Sequence, residues 1–448
     1  MKRRGPDRGG RAGEAARLAA EAEAAERGQD LQAAVTRMAR AVELEPRDAE
    51  LRLRLAFFRT CLREYDEAGE DLRAAARELP PSDARPARAL AHLAYVQGRW
   101  GEAYEAAERI ETPYYQDDFL RGVLAAKLGF AREAERCLER LRPSNSGWRD
   151  LLAAFQAALR DDWQEAAAAA ERAARAPNPI EQPERLKTAR GAFALKAWRA
   201  RAAPAARKTE RPRGGTLRLI SLGVDPPRNV TLDALEAVRD CDVLFVNIAS
   251  DLIMDLLAVF CRGEVRPINF VNEETRERSA RRILAAAEPG KIVGYATYGH
   301  VMMLGPLTIL LLRLCRRQKL SVQAYAGVTI IGRLLADAGV VLGDGFDGFQ
   351  LYAARGLAAQ GAPLNPRAAL AVYLSDVRDG RRDGFYRRLQ ERLCAAYGAG
   401  HEAQVWGPEG LERRLKLGAL HEARESLDGQ RQLLVPALPR GGAAGLPG

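Results

Sequence analysis

A chain of 448 residues is too long for one compact core and predicts two or three domains, each able to bury its own interior. Hydrophobic residues make up 47% and charged residues 29%, which excludes a wholly disordered or fibrous chain. The net charge of +10 comes mainly from the N-terminal tip and residues 199–213, and both signs are interleaved elsewhere, so specific nucleic-acid binding is not favoured.

The sequence contains no recognisable targeting or membrane-spanning segment. Its N-terminus is charged without a following apolar segment, and the longest apolar run, Val301 to Leu312, is broken by Gly305-Pro306. Six cysteines are scattered without a CxxC pair or a Cys/His cluster, which predicts reduced thiols and neither a disulfide framework nor a metal site. These features favour a cytoplasmic protein.

A short signature recurs through the first two hundred residues. Each copy opens with an aromatic residue or leucine and closes at Ala34, Ala68, Ala103, Ala134 or Ala166, at intervals of 34, 35, 31 and 32 residues. Over residues 14–178 the pattern resembles tetratricopeptide repeats, in which small alanines let two helices approach and stacked hairpins present a concave binding surface. A generic alanine-rich helical bundle is the alternative.

The last repeat is followed by a further helix and then a linker. Pro177 to Pro183 interrupts the pattern, and a helix is predicted from about Glu184 to Arg201. Residues 202–215 are basic and have no hydrophobic periodicity, which predicts a solvated linker. The predicted organisation is therefore a disordered basic tip over residues 1–13 and a helical domain over residues 14–201.

After the linker, short β-rich runs alternate with amphipathic helices. The predicted strands cover residues 217–222, 243–247, 291–297, 321–326, 368–374, 403–406 and 432–435, and a helix is predicted over residues 381–397. Such alternation predicts a largely parallel sheet with crossover helices, here in two subdomains. The predicted fold class is thus an all-α helical-hairpin solenoid followed by an α/β domain over residues 216–437, with a flexible tail over residues 438–448.

Three loops that follow predicted strands contain glycine at a turn. Because ligands of open parallel sheets bind beyond the carboxyl ends of the strands, Gly223, Gly299 and Gly327 mark the candidate site. Glycine at these turns permits positive φ and close approach of the backbone to a ligand. Thr231 and Thr329 stand where they can cap the helices that follow the first and third loops.

These three loops, in this order, resemble those of the tetrapyrrole-methylase family of S-adenosylmethionine-dependent methyltransferases, over about residues 216–437. The resemblance implies that two α/β subdomains bind S-adenosylmethionine between them, and that the protein is a homodimer through this domain. By position, the implied cofactor contacts are Gly223, Asp225, Tyr298, Gly299, His300, Met303, Gly327, Val328 and Thr329.

Two segments look most like the branch that methylates peptide backbone amides, the borosin type. They are Tyr298-Gly299-His300 and residues 397–402. That branch carries tyrosines and an arginine on the helix before the 291–297 strand, where this chain has Arg276 and no tyrosine. Tyr298, His300 and Arg276 are therefore the candidate catalytic residues, since a weakly acidic acceptor needs a base or an oxyanion stabiliser. His300 could instead hydrogen-bond only the loop backbone.

The chain also departs from the family pattern. Its first loop reads Gly-Val-Asp-Pro-Pro at residues 223–227 where the family has Gly-x-Gly-x-Gly-Asp, and no proline precedes Gly327. Val301-Met302 stand where the peptide-methylating branch has Pro-Gly. Asp225 precedes Pro226-Pro227, which favours a turn residue over a contact to the cofactor. Asp344 and Asp347 lie in a glycine-rich segment that misses the calcium-loop spacing, which favours a connector over a metal site.

The leading prediction is a methyltransferase that uses S-adenosylmethionine and acts on a peptide or protein recruited by the helical repeats. A second interpretation is a methylase of a tetrapyrrole-like small molecule, which needs a wide cleft and few specific residues. A third is a repeat scaffold whose methylase domain is degenerate, motivated by the altered first loop and the missing tyrosines. Cofactor binding separates the third interpretation from the other two.

Overall fold

The structure is a computed structural model. It describes residues 8–27, 30–141, 145–178, 180–202, 214–224, 229–247, 250–270, 273–303, 305–339, 348–359, 363–374, 382–407, 410–424, 427 and 431–438. Asp225, Asp344 and Asp347, most of the predicted linker and residues 439–448 of the predicted tail lie outside these residues.

The described part of the chain before the first strand is entirely helical, as predicted. Its helices are α1 (Arg8–Arg27), α2 (Leu31–Leu44), α3 (Ala49–Leu62), α4 (Tyr65–Glu78), α5 (Ala84–Val96), α6 (Trp100–Glu108), α7 (Tyr115–Leu128), α8 (Ala131–Arg140), α9 (Ser146–Leu159), α10 (Trp163–Ala174) and α11 (Pro183–Ala202). Every copy of the recurring signature begins one of the even-numbered helices α2 to α10, and the closing alanine of each copy is no more than 5% exposed.

Consecutive helices pack as hairpins, and aromatic rings join one hairpin to the next. Phe119 of α7 lies edge-on to Trp148 and Phe155 of α9, and Phe155 lies edge-on to Phe193 of α11, with ring centroids 5.2 to 5.4 Å apart. Edge-to-face pairs of this kind add to the energy of apolar burial. The hairpins from α5 to α11 therefore share one continuous core, whereas the buried residues of α1 to α4 form smaller separate clusters.

The helices are followed by a parallel sheet of five strands in the order β3-β2-β4-β1-β5. These strands are β1 (Thr216–Ser221), β2 (Val243–Val246), β3 (Glu264–Pro267), β4 (Ile292–Thr297) and β5 (Ser321–Tyr325). Their crossover helices are α12 (Leu232–Arg239), α13 (Asp251–Phe260), α14 (Glu273–Ala285) and α15 (Pro306–Gln318). The sequence pattern did not predict β3, which is short and has only one fully buried residue.

Alternate residues of each strand face opposite layers of helices. Leu217 and Leu219 of β1 belong to the core under α14 and α15, whereas Ile220 belongs to the core that contains α12 and α13. That second core is continuous with the core of the helical repeats from α5 to α11. The repeats and the first sheet thus form one compact unit, Met1–Gly327.

The second compact unit, Val328–Gly448, contains a mixed sheet in the order β6-β7-β10-β8-β9. Its elements are α16 (Ile330–Asp337), β6 (Phe349–Ala353), α17 (Ala354–Ala359), β7 (Ala369–Tyr373), α18 (Arg382–Tyr397), β8 (Glu402–Gly407), β9 (Gly410–Lys416) and β10 (Gln432–Val435). The sequence pattern predicted β7, β8, β10 and α18 but not β6 and β9, whose faces are largely half-buried or exposed.

The compact units divide within the predicted 216–437 domain, and residues 203–213 of the predicted linker are not described. Among the described residues, no helix is both long and apolar enough to cross a membrane.

Candidate functional site

The loops after β1 and β4 pair with each other through two glycines. The Gly223 amide donates to the Gly299 carbonyl at 3.1 Å, and the Gly299 amide donates to the Gly223 carbonyl at 2.7 Å. Both glycines have positive φ, +78° at Gly223 and +70° at Gly299. A Cβ on Gly223 would lie 2.4 Å from the Asn229 carbonyl oxygen, so glycine is required at this turn.

The loop after β5 joins the same arrangement. A Cβ on Gly327 would lie 2.8 Å from the Ser221 Cβ and 3.2 Å from the Gly223 amide nitrogen. Thr231 caps α12 by accepting from the Ala234 amide at 3.2 Å, as predicted, and its hydroxyl donates to the Ala326 carbonyl at 2.8 Å. The three glycine loops that the sequence marked therefore meet at one edge of the sheet.

Two residues of this arrangement were not predicted from the sequence. Ser221, fully buried at the end of β1, accepts from the Val301 amide at 3.0 Å and so fixes the loop after β4. The Asn229 side-chain oxygen is buried and has no hydrogen-bond partner among the described residues. Neither Ser221 nor Asn229 could be singled out from the sequence, because the order of the strands in the sheet decides which residues lie next to them.

The His300 ring forms a hydrogen bond with the backbone of its own loop. The Nδ1 atom accepts from the Met302 amide at 3.3 Å, while the His300 carbonyl accepts from the Met303 amide at 2.8 Å. A ring whose Nδ1 accepts this bond carries its proton on Nε2. In this arrangement His300 presents a hydrogen-bond donor, so the geometry favours a role in holding an acceptor over a role as a base.

Tyr298 precedes the paired glycine and is 47% exposed, whereas the neighbouring Tyr295 is buried in β4. Burial raises the pKa of Tyr295 to about 12, although hydrogen bonds with Thr297 and Asn247 oppose that rise. Tyr295 therefore keeps its proton at neutral pH and serves as a structural residue. Tyr298 is the tyrosine that faces solvent at this loop.

Arg276 stands apart from the glycine loops. It lies in the first turns of α14, which follows edge strand β3, and β2 separates that strand from β4. Its side chain is 27% exposed and lies 3.9 Å from Glu273. The topology puts Arg276 at the same edge of the sheet as Tyr298 and His300, but no described contact joins it to them.

The remaining predicted cofactor contacts lie in different parts of the chain. Met303 is half-buried in the turn after His300. Val328 and Thr329 begin the second compact unit, where Val328 is 37% exposed and Thr329 caps α16 by accepting from the Gly332 amide at 2.8 Å. Asp225 lies outside the described residues.

The loops have the features that a nucleoside cofactor needs. The Cβ position of Gly299 opens onto space, with its nearest neighbour, a Val224 methyl, 4.0 Å away. The unpartnered Asn229 oxygen offers a buried acceptor for an amino or hydroxyl group. Backbone glycines that approach closely, together with one buried acceptor, fit S-adenosylmethionine at the carboxyl edge of the sheet.

An open parallel sheet with its glycine loops gathered at the carboxyl edge defines an α/β domain of the nucleotide- or cofactor-binding class. Residues 216–406, within the C-terminal half of the chain, match the family model described as Tetrapyrrole (Corrin/Porphyrin) Methylases. The predictions of a methyltransferase and of S-adenosylmethionine as its cofactor are confirmed at the level of this family. No curated protein matches the chain.

Several solved structures are similar to this half of the chain. Uroporphyrin-III C-methyltransferase from Thermus thermophilus is 21% identical, with 50% of this chain and 92% of that chain covered and a TM-score of 0.38. A cobalt-precorrin-4 methyltransferase of cobalamin biosynthesis is 17% identical over 49% of this chain and 94% of that one, also with a TM-score of 0.38. A conserved hypothetical protein from Aeropyrum pernix is 20% identical over 51% and 86%, with a TM-score of 0.38.

Proposed function

We propose that the chain transfers a methyl group from S-adenosylmethionine, held by the loops after β1, β4 and β5, to a small acceptor of the tetrapyrrole-like class. The observation that carries the cofactor site is the reciprocal hydrogen bonding of Gly223 and Gly299 beside the close approach of Gly327. Bound S-adenosylmethionine would supply an activated methyl group, and the protein would supply alignment.

The chain's own residues have separate roles in this proposal. Ser221 and Thr231 hold the three loops in register. Tyr298 and the Nε2–H of His300 face the acceptor as hydrogen-bond donors that orient it and stabilise negative charge on it. Arg276 serves at most as a more distant cation, because its described ion pair is with Glu273.

A small acceptor is favoured because the helical repeats already pack against helix α13 of the same chain. Helices α5, α9 and α11 contact α13, and residues 253–260 of α13 are all buried. The face that these three helices turn toward α13 is therefore occupied and is not open to a recruited peptide. A peptide or protein acceptor is the second candidate, supported by the exposed Phe57 of α3, 57% accessible on the helices that precede α5.

The cofactor proposal is tested by calorimetric titration of the full chain with S-adenosylhomocysteine. We expect micromolar binding that is lost in Gly327→Val, because the new side chain would collide with Ser221. Gly214→Val is the matched control, since nothing lies within 4 Å of its Cβ position. Absence of binding at millimolar ligand by the folded wild-type chain would leave the degenerate scaffold as the better account.

The acceptor class is tested by methyl transfer from labelled S-adenosylmethionine to two panels, one of tetrapyrroles and one of peptides. Transfer to the first panel, reduced in Tyr298→Phe and His300→Ala, supports the proposal. Transfer only to peptides, and its loss in Phe57→Ala, would move the assignment to the second candidate.

A further inference from the structure

Helix α13 is enclosed on all sides. Its residues from Ile253 to Phe260 are buried, with the sheet on one side and helices α5, α9 and α11 on the other. The Phe260 ring stacks on Trp163, with centroids 5.3 Å apart and an interplanar angle of 16°. A helix this apolar on every face needs cover on both sides, and the helical repeats provide the second cover.

A polar cluster inside this contact fixes one arrangement of the two layers. Asp255 of α13, 2% exposed, accepts from the Tyr95 hydroxyl at 2.6 Å and from the Arg185 Nε at 2.5 Å. Burial raises the pKa of Asp255 in spite of the neighbouring guanidinium of Arg185. Apolar surfaces can slide past each other, whereas these directional bonds are satisfied in one register only.

The same contact continues to the edge of the sheet where the glycine loops lie. Arg63, which follows α3, donates to the Asn247 carbonyl at 3.3 Å. His92 of α5 hydrogen-bonds Asp251 at 2.8 Å in the first turn of α13. Two residues of the repeats thus hold the two ends of the turn that connects β2 to α13.

Asn247 links that turn to β4 and hence to the site. Its amide donates to the Ala296 carbonyl at 3.0 Å, and its side chain shares the Tyr295 hydroxyl with Thr297. Thr297 is the last residue of β4, and its carbonyl accepts from the Leu222 amide at 2.9 Å. The next residue is Tyr298, so the chain of contacts ends at the paired glycine loops.

We propose that the helical repeats are a built-in part of the methyl-transfer site, with Arg63 and His92 as positioning residues that act through the β2–α13 turn on the end of β4. The inference rests on the proposed function. It gives the repeats an intramolecular role, which is to set the geometry of the cofactor loops.

The test compares two interfaces between the same two layers in the full-length chain. Arg63→Ala/His92→Ala removes the contacts at the carboxyl edge. Asp161→Ala removes ion pairs with Arg239 and Arg262 at the opposite edge, where α12 and α13 end. We expect the double variant to bind S-adenosylhomocysteine about 5- to 10-fold more weakly, with little change in the unfolding midpoint. Asp161→Ala should bind as the wild type does.

Conservative replacement separates positioning from simple loss of stability. Arg63→Lys/His92→Gln keeps a donor at both places and should restore most of the affinity. Equal affinities for the wild type and the double variant, or equal losses in the double variant and Asp161→Ala, would overturn the proposal.

Failure of the proposed function is distinguished by a readout that needs no ligand. Amide hydrogen exchange of residues 297–303 reports the fixation of the loop directly. Faster exchange there in the double variant, and not in Asp161→Ala, supports coupling even if the wild type binds no cofactor. Unchanged exchange would contradict it.

Discussion

The two faces of the first sheet carry crossover helices of opposite character. Helix α13 reads DLIMDLLAVF and is buried at every residue from Ile253 to Phe260, whereas α14 reads EETRERSARRILA and buries only Ser279, Ala280, Ile283 and Leu284. On α15, which shares the face of α14, Ile309 is 59% exposed. The strands between the faces are the same, so the difference comes from what lies beyond the helices.

That difference shows that the boundary between the helical and α/β regions of the sequence is not a boundary between two hydrophobic cores. The helical repeats end before the first strand, yet their core is continuous with α12 and α13. A helix that is apolar all round indicates burial on both sides, and the sequence of α13 shows this pattern. The α/β layer and the repeats therefore share their stability across this face, while the opposite face behaves as an ordinary protein surface.

The sharpest way to break the comparison is to place the same charge on each face. Leu256→Asp on α13 puts a carboxylate at a site 4% exposed and is expected to destabilise the fold by more than about 4 kcal/mol. Ile309→Asp on α15 should change the free energy of unfolding by no more than about 0.5 kcal/mol. Urea denaturation followed by tryptophan fluorescence measures both. Comparable losses would mean that the α15 face is covered too.

The buried cluster gives the next largest effect. Arg185→Leu or Asp255→Leu alone leaves a buried charge without its partner and is expected to cost about 3 to 5 kcal/mol. The double variant should cost clearly less than the sum of the two, because it leaves no buried charge without a partner. Arg278→Ala, which breaks an exposed pair with Glu274 on α14, is the control and should cost at most about 1 kcal/mol. Additive losses would show that the cluster does not act as a unit.

Much of the fold follows from periodicity that the sequence carries locally. The alanine signature located the second helix of each hairpin, because each closing alanine is a point of close helix approach. Strands β1, β2, β4, β7, β8 and β10 were predictable because they form apolar runs with buried residues, while β3, β6 and β9 carry too few buried residues for such a run. The close packing of repeats on α13 could be inferred only from the all-round apolar character of that helix.

The candidate site could be predicted in part. Glycine loops after β1, β4 and β5 were found from position, and Thr231 from its place before a helix. The hydrogen bond between Ser221 and the loop after β4 depends on which strands are neighbours, and no local motif predicts the order β4-β1-β5. The distance of Arg276 from the loops has the same origin, since β2 lies between β3 and β4.

On the covered face, the start of α12 ties the sheet to the site. Thr231→Ala removes both the helix cap and the hydrogen bond to Ala326, and we expect a loss of about 0.5 to 2 kcal/mol. Thr231→Ser keeps the hydroxyl and should restore most of this stability. Denaturation of the two variants measures the difference. Equal stability of Thr231→Ala and wild type would show that the loop after β5 is held by other contacts.

The smallest effect is a dependence on pH at the start of α13. Burial raises the pKa of Asp251, but the hydrogen bond and charge of His92, together with Arg185, outweigh it and leave the pKa below its ordinary value. Since the folded pKa is depressed, the stabilisation is present above the unfolded value of about 3.9 and is lost as the pH falls through the folded pKa.

The difference in stability between wild type and Asp251→Asn should therefore hold from pH 7 to about pH 5 and shrink below about pH 4. Repeating the comparison at pH 5 in a His92→Gln background, which removes the imidazole that lowers the pKa of Asp251, should make the difference smaller. Thermal unfolding across this range provides the measurement. A difference that stays constant down to about pH 3 would mean that Asp251 is not held by His92, and that the carboxyl edge of the covered face depends on Arg63 and the buried cluster instead.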